Sequence, residues 1–139
     1  MFSIPNQQRT APKELIQMAK AQANDILMNI RGIDYIMLCS TDGFELASVY
    51  KKNPYNSTKL AAVSSSILAM VSAFLNEIHL TGCQSITLDA ENGKAILTSI
   101  PAPHHPMVMV TLSNKDVLLG QLLYSLKQAS AAIVAADQT

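Results

Sequence analysis

A long segment with almost no charge constrains this chain more than any other feature. Between Asn53 and Asn76 the only charged residue is Lys59, and apolar residues recur there at helical spacing. They form two stripes: Leu60, Val63, Ile67, Met70, Phe74 and Ile78 in one, and Ser64, Leu68, Val71 and Leu75 in the other. A helix on the outside of a small domain needs only one apolar stripe. The second stripe predicts either a helix buried inside its own domain or, as we favour, contact with another chain.

Composition agrees with a partly covered surface and argues against several classes of protein. Of the 139 residues, 49% are hydrophobic and 14% are charged, against roughly 25% charged in an average domain. Basic and acidic residues balance at 10 each, which argues against nucleic-acid binding. No uninterrupted apolar run approaches the ~20 residues that span a bilayer, and the start of the chain lacks the pattern of a signal peptide. We therefore expect no direct membrane insertion and a cytoplasmic location.

The order of the predicted segments defines one domain. Residues 1–10 are polar and aperiodic, and we expect them to form a flexible tail before a domain over residues 11–136. Helical spacing predicts helices over residues 11–31, 57–80 and 114–135. Thr10 is the expected cap of the first helix, Asn56 or Ser57 that of the second, and a capping box of Ser113 and Asp116 that of the third. Apolar runs between turn residues predict strands over residues 33–40, 44–49, 84–89, 94–100 and 107–112.

These segments predict an α/β (α+β) fold in the order α-β-β-α-β-β-β-α. Strands joined by short turns must be antiparallel, and the first and fifth strands are apolar on both faces. We therefore expect a three-layer α/β/α sandwich with helices on both faces of a five-stranded, mostly antiparallel sheet. If the third strand lies at an edge, it can pair with the same strand of a second copy. The predicted homodimer interface consists of Ser64, Leu68, Val71, Leu75, Gln84, Ile86 and Leu88.

Sequence motifs for catalysis and cofactor binding do not occur. The chain has neither a P-loop nor a G-x-G-x-x-G motif. Cys39 and Cys83 lack the spacing of a zinc site, and we expect them to be reduced thiols buried like small apolar residues. His104 and His105 are neighbours in a proline-rich loop, where their side chains point apart and suit a partner contact better than a metal ion. We therefore expect a non-enzymatic protein with no catalytic residue, no cofactor and no metal.

Glycines and turn residues mark the ends of the predicted segments. They are Gly32-Ile33 after the first helix, Thr41-Asp42-Gly43 in the first hairpin, Gly82 before the third strand, Asn92-Gly93 in the next hairpin and Gly120 in the last helix. Together with the small-residue second helix, they resemble the roadblock / dynein light chain family over about residues 11–136. The loop over residues 101–106 departs from this pattern, because prolines stand where family members often have a glycine.

This resemblance implies a homodimer formed through the second helix and the third strand, and a small Ras-like GTPase as its partner. In the bacterial Mgl-type branch, the regulator accelerates hydrolysis by reshaping the GTPase's own site without inserting an arginine. The resemblance does not say which face of the dimer receives the GTPase. The alternative is a small-molecule sensor or a scaffold domain in a signalling or motility complex.

Overall fold

The computed structural model describes residues 11–52 and 55–138. The predicted tail over residues 1–10 lies outside the described residues. The predicted order of elements is confirmed: α1 Lys13–Asn29, β1 Ile33–Ser40, β2 Glu45–Tyr50, α2 Ser57–Glu77, β3 Ser85–Ala90, β4 Gly93–Ile100, β5 Met107–Ser113 and α3 Leu119–Ala136.

The five strands form one sheet in the order β2-β1-β5-β4-β3. Every neighbouring pair is antiparallel, so the sheet is antiparallel throughout the described strands. β1 and β5 lie at its centre and are buried over almost their whole length, as their continuous apolar sequences predict. β3 lies at one edge of the sheet, which confirms the position on which the dimer prediction depends.

Helices cover both faces of the sheet, which confirms the predicted three-layer sandwich. α1 and α3 pack against each other on one face, and α2 lies on the other. Side chains of β4 alternate between these two layers. Ile96 and Ile100 belong to the core with α1 and α3, whereas Leu97 belongs to the smaller core under α2.

Contacts with the first hairpin fix the start of α2 on the sheet. Asn56 is its cap, because its side chain accepts a hydrogen bond from the backbone N–H of Lys59 at 3.1 Å. Ser57 Oγ donates to Glu45 Oε1 at 2.7 Å. Gly43 turns the hairpin with φ of 94°, and a Cβ there would lie 3.2 Å from Ala62 Cα. The lack of a side chain at Gly43 thus permits both the turn and the close approach of α2.

The end of α2 differs from the prediction that Gly82 terminates it. The helix ends at Glu77, and His79 adopts a left-handed conformation with φ of 65°. The N–H of Leu80 donates to the carbonyl of Leu75 at 2.8 Å, and that of His79 to Asn76 at 3.2 Å. These two hydrogen bonds form a Schellman motif, which closes the helix before Gly82 is reached.

The starts of α1 and α3 also differ from the prediction. The expected cap Thr10 lies outside the described residues, and Pro12 is at the cap position of α1 without a side-chain hydrogen bond. The capping box of Ser113 and Asp116 is wrong, because Ser113 is the last residue of β5 and α3 begins only at Leu119. Asn114 Oδ1 instead accepts from the N–H of Asp116 at 2.9 Å, and this local turn competes with helix formation.

α2 as a whole is more apolar than its short uninterrupted apolar runs suggest. Among the described residues, it is the one helix long and apolar enough to cross a membrane by these two measures, because it has 21 residues and an 18-residue window of mean hydropathy 1.6. Serines interrupt every apolar run, but the average over that window stays high. Length and hydropathy therefore do not decide whether α2 enters a membrane, and its contacts with the rest of the domain become the relevant observation.

Candidate interaction surface

α2 presents most of its apolar side chains to the outside of the described structure. Ala61 and Ser64 are its only buried residues, and Ile67 and Leu68 are partly buried against the sheet. Met70 is 67% exposed and Phe74 is 62% exposed. The other large exposed apolar side chains of this stretch are Val63 and, just beyond the helix, Ile78. Four large side chains of one stripe therefore have no cover in the single chain, whereas Leu60 and Ile67 of the same stripe pack on the sheet.

The edge strand β3 carries further apolar side chains on the α2 side of the sheet. Ile86 and Leu88 are in register with Leu97 and Ala95 of β4, which places both on the α2 side of the sheet. Ile86 packs into the same core as Ile67, and Leu88 is 45% exposed. We call the resulting patch the α2–β3 surface. It consists of Val63, Met70, Phe74, Ile78, Ile86 and Leu88.

The residues predicted for the dimer interface divide between this surface and the interior. Ser64 is only 3% exposed. Leu68, Val71 and Leu75 are half-buried, and Leu68 packs on the sheet together with Leu60 and Ile67 of the other stripe. Gln84 and Leu88 are exposed, and Ile86 is half-buried.

The sequence offered a signal for the packing face that the prediction did not use. Small residues at 61, 62, 64 and 65 mark where the helix comes closest to the first hairpin. Ser65 Oγ donates a hydrogen bond to the carbonyl of Thr41 in that hairpin. The exposed stripe of Met70 and Phe74 lies away from these contacts and carries the larger side chains.

The histidine loop has an intramolecular partner that sequence reasoning missed. Asp137, just after α3, accepts hydrogen bonds through Oδ2 from the N–H groups of His104 at 2.7 Å and His105 at 2.8 Å. Its Oδ1 accepts from His105 Nδ1 at 2.8 Å. The described residues contain no group of three or more His, Cys, Asp or Glu side chains arranged to hold a metal ion. Asp137 therefore ties the loop to the end of α3.

This contact changes the pKa of the Asp137 carboxyl. Burial would raise the pKa, because the side chain is only 5% exposed. The hydrogen bonds from the His105 ring and from the His104 and His105 amides outweigh burial and lower it below its usual value. The carboxylate is therefore charged in the folded protein at neutral pH.

The two cysteines are both free, but their environments differ. Cys39 is fully buried in β1, its thiol donates to the carbonyl of Val108 at 3.6 Å, and burial raises its pKa to about 12. Cys83, just before β3, is half-buried. The prediction of two buried thiols is thus confirmed for Cys39 and wrong for Cys83, because the edge strand leaves its neighbourhood open.

Comparisons with known proteins agree with this architecture. The gliding protein MglB of Thermus thermophilus superimposes with a TM-score of 0.79 at 18% identity, over 91% of this chain and 93% of that one. Myxococcus xanthus MglB gives a TM-score of 0.81 at 14% identity, over 91% and 92% of the two chains. A Roadblock/LC7 domain from Streptomyces avermitilis gives 0.74 at 10% identity, over 84% and 94%. At these identities the likeness shows the fold.

The family follows from the sequence itself. A search of curated protein sequences finds no match. The sequence profile of the Roadblock/LC7 domain matches residues 22–102, which is more than half of the chain and includes α2, β3 and β4. The expected family resemblance is confirmed, and the chain belongs to the Roadblock/LC7 domain family.

Proposed function

We propose that this chain is a homodimeric, non-enzymatic regulator of a small Ras-like GTPase in the cytoplasm. The α2–β3 surface carries the dimer part of the proposal. It joins an uncovered apolar helix stripe to a free strand edge, and both can be satisfied by the same surface of a second copy. The GTPase part is supported by membership of the Roadblock/LC7 family and by the structural likeness to MglB.

Burial of the apolar stripe offsets much of the free-energy cost of forming a dimer. Full burial of one large apolar side chain contributes ~1.5–3 kcal/mol. The stripe has four such side chains, each roughly half exposed, and a twofold interface buries all of them twice. The sum is roughly 10 kcal/mol, comparable to the ~4–15 kcal/mol cost of association. Hydrogen bonds between two paired β3 edges would add to this sum.

The contacts of α2 favour a second copy over a lipid bilayer as the cover. Ser57 and Ser65 bond to the first hairpin, and Ala61 is completely buried against the sheet. A helix that spans a bilayer would have to break these contacts. A second copy requires no such change and also uses the edge of β3, which a bilayer cannot pair with hydrogen bonds.

A matched pair of variants separates loss of the dimer from loss of folding. Met70 in α2 and Met28 in α1 are both 67% exposed, but only Met70 lies on the α2–β3 surface. Wild type and Met28→Asp should both give about twice 15.0 kDa in light scattering over a concentration series. Met70→Asp should approach the monomer mass while keeping its circular dichroism spectrum. A monomeric wild type, or co-flotation of wild type with lipid vesicles, would refute the proposed cover of α2.

The GTPase partner requires its own experiment. The chain, immobilised, should retain a Ras-like GTPase from extracts of its own cells with a GTP analogue present, and less of it with GDP. The purified GTPase should then hydrolyse GTP at a different rate when the chain is added. Extracts that yield no GTPase with either nucleotide would argue against this part of the proposal and leave the dimer untouched.

A further inference from the structure

A cavity of about 770 Å³ lies on the side of the sheet opposite α2. α3 packs on β4 and on α1, so the start of β3 beside it remains open. Apolar side chains of α3, among them Leu123, Leu126 and Val134, form one wall. Polar residues of the strands, including Ser85 and Thr98, form the other. This volume falls within the ~300–1,000 Å³ typical of small-molecule sites.

Thr98, which lines the cavity, carries a buried hydroxyl group. Thr98 is 5% exposed, and its Oγ1 has no hydrogen-bond partner in the described structure. The side chain shares the α3 side of β4 with Ile96 and Ile100, and it is opposite Ser85 in register. A buried hydroxyl without a partner costs free energy, so a ligand that bonds to it gains from the contact.

The charge of the lining selects the ligand. Lys127 is the one charged residue that lines the cavity, and no ion pair joins it to a carboxylate in the described part of the chain. The lining residues of α3 extend from Leu123 to Ala135, or roughly 18 Å along the helix at ~1.5 Å per residue. An elongated apolar body with one negative group matches both features.

We propose that this cavity binds a small organic acid with an apolar body, such as a chain-like monocarboxylate. Its carboxylate pairs with Lys127 and accepts a hydrogen bond from Thr98, and its apolar part lies along Leu123, Leu126 and Val134. The site is on the face of the sheet opposite α2, and its lining does not involve the proposed GTPase. Gln84 at the start of β3 both lines the cavity and belongs to the predicted dimer interface, so binding is measured on the full chain in the oligomeric state that light scattering gives.

Decanoate and the neutral 1-decanol are the probes that test this proposal, because they differ in the charged group. Cys83 also lines the cavity, so its alkylation by N-ethylmaleimide reports whether the cavity is occupied. Decanoate should slow the alkylation of wild-type Cys83 and shift the amide resonances of the lining residues. Lys127→Met should weaken decanoate binding at least tenfold and change decanol binding by less than about twofold.

Two threonines provide the control for the hydroxyl. Thr111 in β5 also has a buried Oγ1 without a partner in the described structure, but it does not line the cavity. Thr98→Val should weaken decanoate binding about tenfold, and Thr111→Val should leave it unchanged. Equal binding of decanoate by wild type and Lys127→Met would overturn the proposal. So would binding of decanoate only to a variant that lacks residues 1–10, because the chain's own start would then be the occupant.

Discussion

Replacing Asp137 with Asn should destabilise the fold through the loop that connects β4 and β5. The Asp137 carboxylate accepts three hydrogen bonds of 2.7–2.8 Å, from the amides of His104 and His105 and from the His105 ring. The carbonyl oxygen of asparagine can accept from both amides, and its NH₂ group then faces His105 Nδ1, which accepts in the neutral tautomer that carries its proton on Nε2. The negative charge is lost from a site that is 5% exposed in the wild type, so all three hydrogen bonds become weaker, neutral ones.

The size of the effect follows from the loss of charge in three hydrogen bonds. Hydrogen bonds to a charged group contribute ~1.5–3 kcal/mol each and neutral ones ~0.5–1.5 kcal/mol, so Asp137→Asn weakens each of the three by about 1 kcal/mol. We therefore expect a loss of about 3 kcal/mol in the free energy of unfolding at pH 7, measured by urea denaturation. Asp116→Asn is the matched control, because Asp116 is exposed and lies outside this contact. It should change stability by less than about 0.5 kcal/mol.

The pH dependence gives this prediction its sign. The pKa of Asp137 is lower in the folded protein than its ordinary value. The contact therefore stabilises the fold above the unfolded pKa of about 4, and this contribution is lost as pH falls through the lower folded pKa. The stability gap between wild type and Asp137→Asn should narrow below pH ~4. Equal stability at pH 7, or a gap that stays constant down to pH ~3, would refute the role given to the charged carboxylate.

Three further predictions test other parts of the structure. Thr111→Val removes a buried hydroxyl without a partner in the described structure and should raise the free energy of unfolding by about 1–2 kcal/mol in urea; a loss of stability would contradict this. Gly43→Ala should lower the free energy of unfolding by about 1–3 kcal/mol, because φ is positive there and the Ala62 backbone is close. Gly120→Ala is the control: space around Gly120 is open, so this change should be neutral or stabilising in the same assay. Ellman's reagent at pH ~8 should modify Cys83 in the native protein and Cys39 only after unfolding; rapid modification of both thiols would show that β1 is not closed.

Local patterns in the sequence were sufficient for the sheet and its layers. β1 and β5 are apolar at almost every position, and only the centre of a sheet covered on both faces buries such strands. The Thr41-Asp42-Gly43 turn places its glycine where the positive φ occurs. Helix ends were predicted less well. Asn114 forms a local turn where Ser113 and Asp116 were expected to cap α3, and a Schellman motif at His79 ends α2 before Gly82.

The exposed stripe of α2 could not be predicted from its periodicity. Both stripes are apolar at helical spacing, and the choice between them depends on which one meets the first hairpin. The prediction assigned the stripe of Ser64 and Leu68 to the interface, and the structure places these two residues against the sheet and exposes Met70 and Phe74. Whether the predicted residues contact a second copy stays a prediction.

The sequence by itself determined the family, the order of the elements, and the central and edge strands. It also showed that the second helix has two apolar stripes, whereas a helix on the outside of a small domain needs one. These properties depend on residues close together in the chain, whose patterns reflect local conformation and burial. Only the tertiary structure decided which stripe is exposed, that Asp137 holds a loop 32 residues away, and that Thr98 and Lys127 line one cavity. Each of these brings together residues from separate elements, and their separation in space is set by how α2 and α3 pack on the sheet.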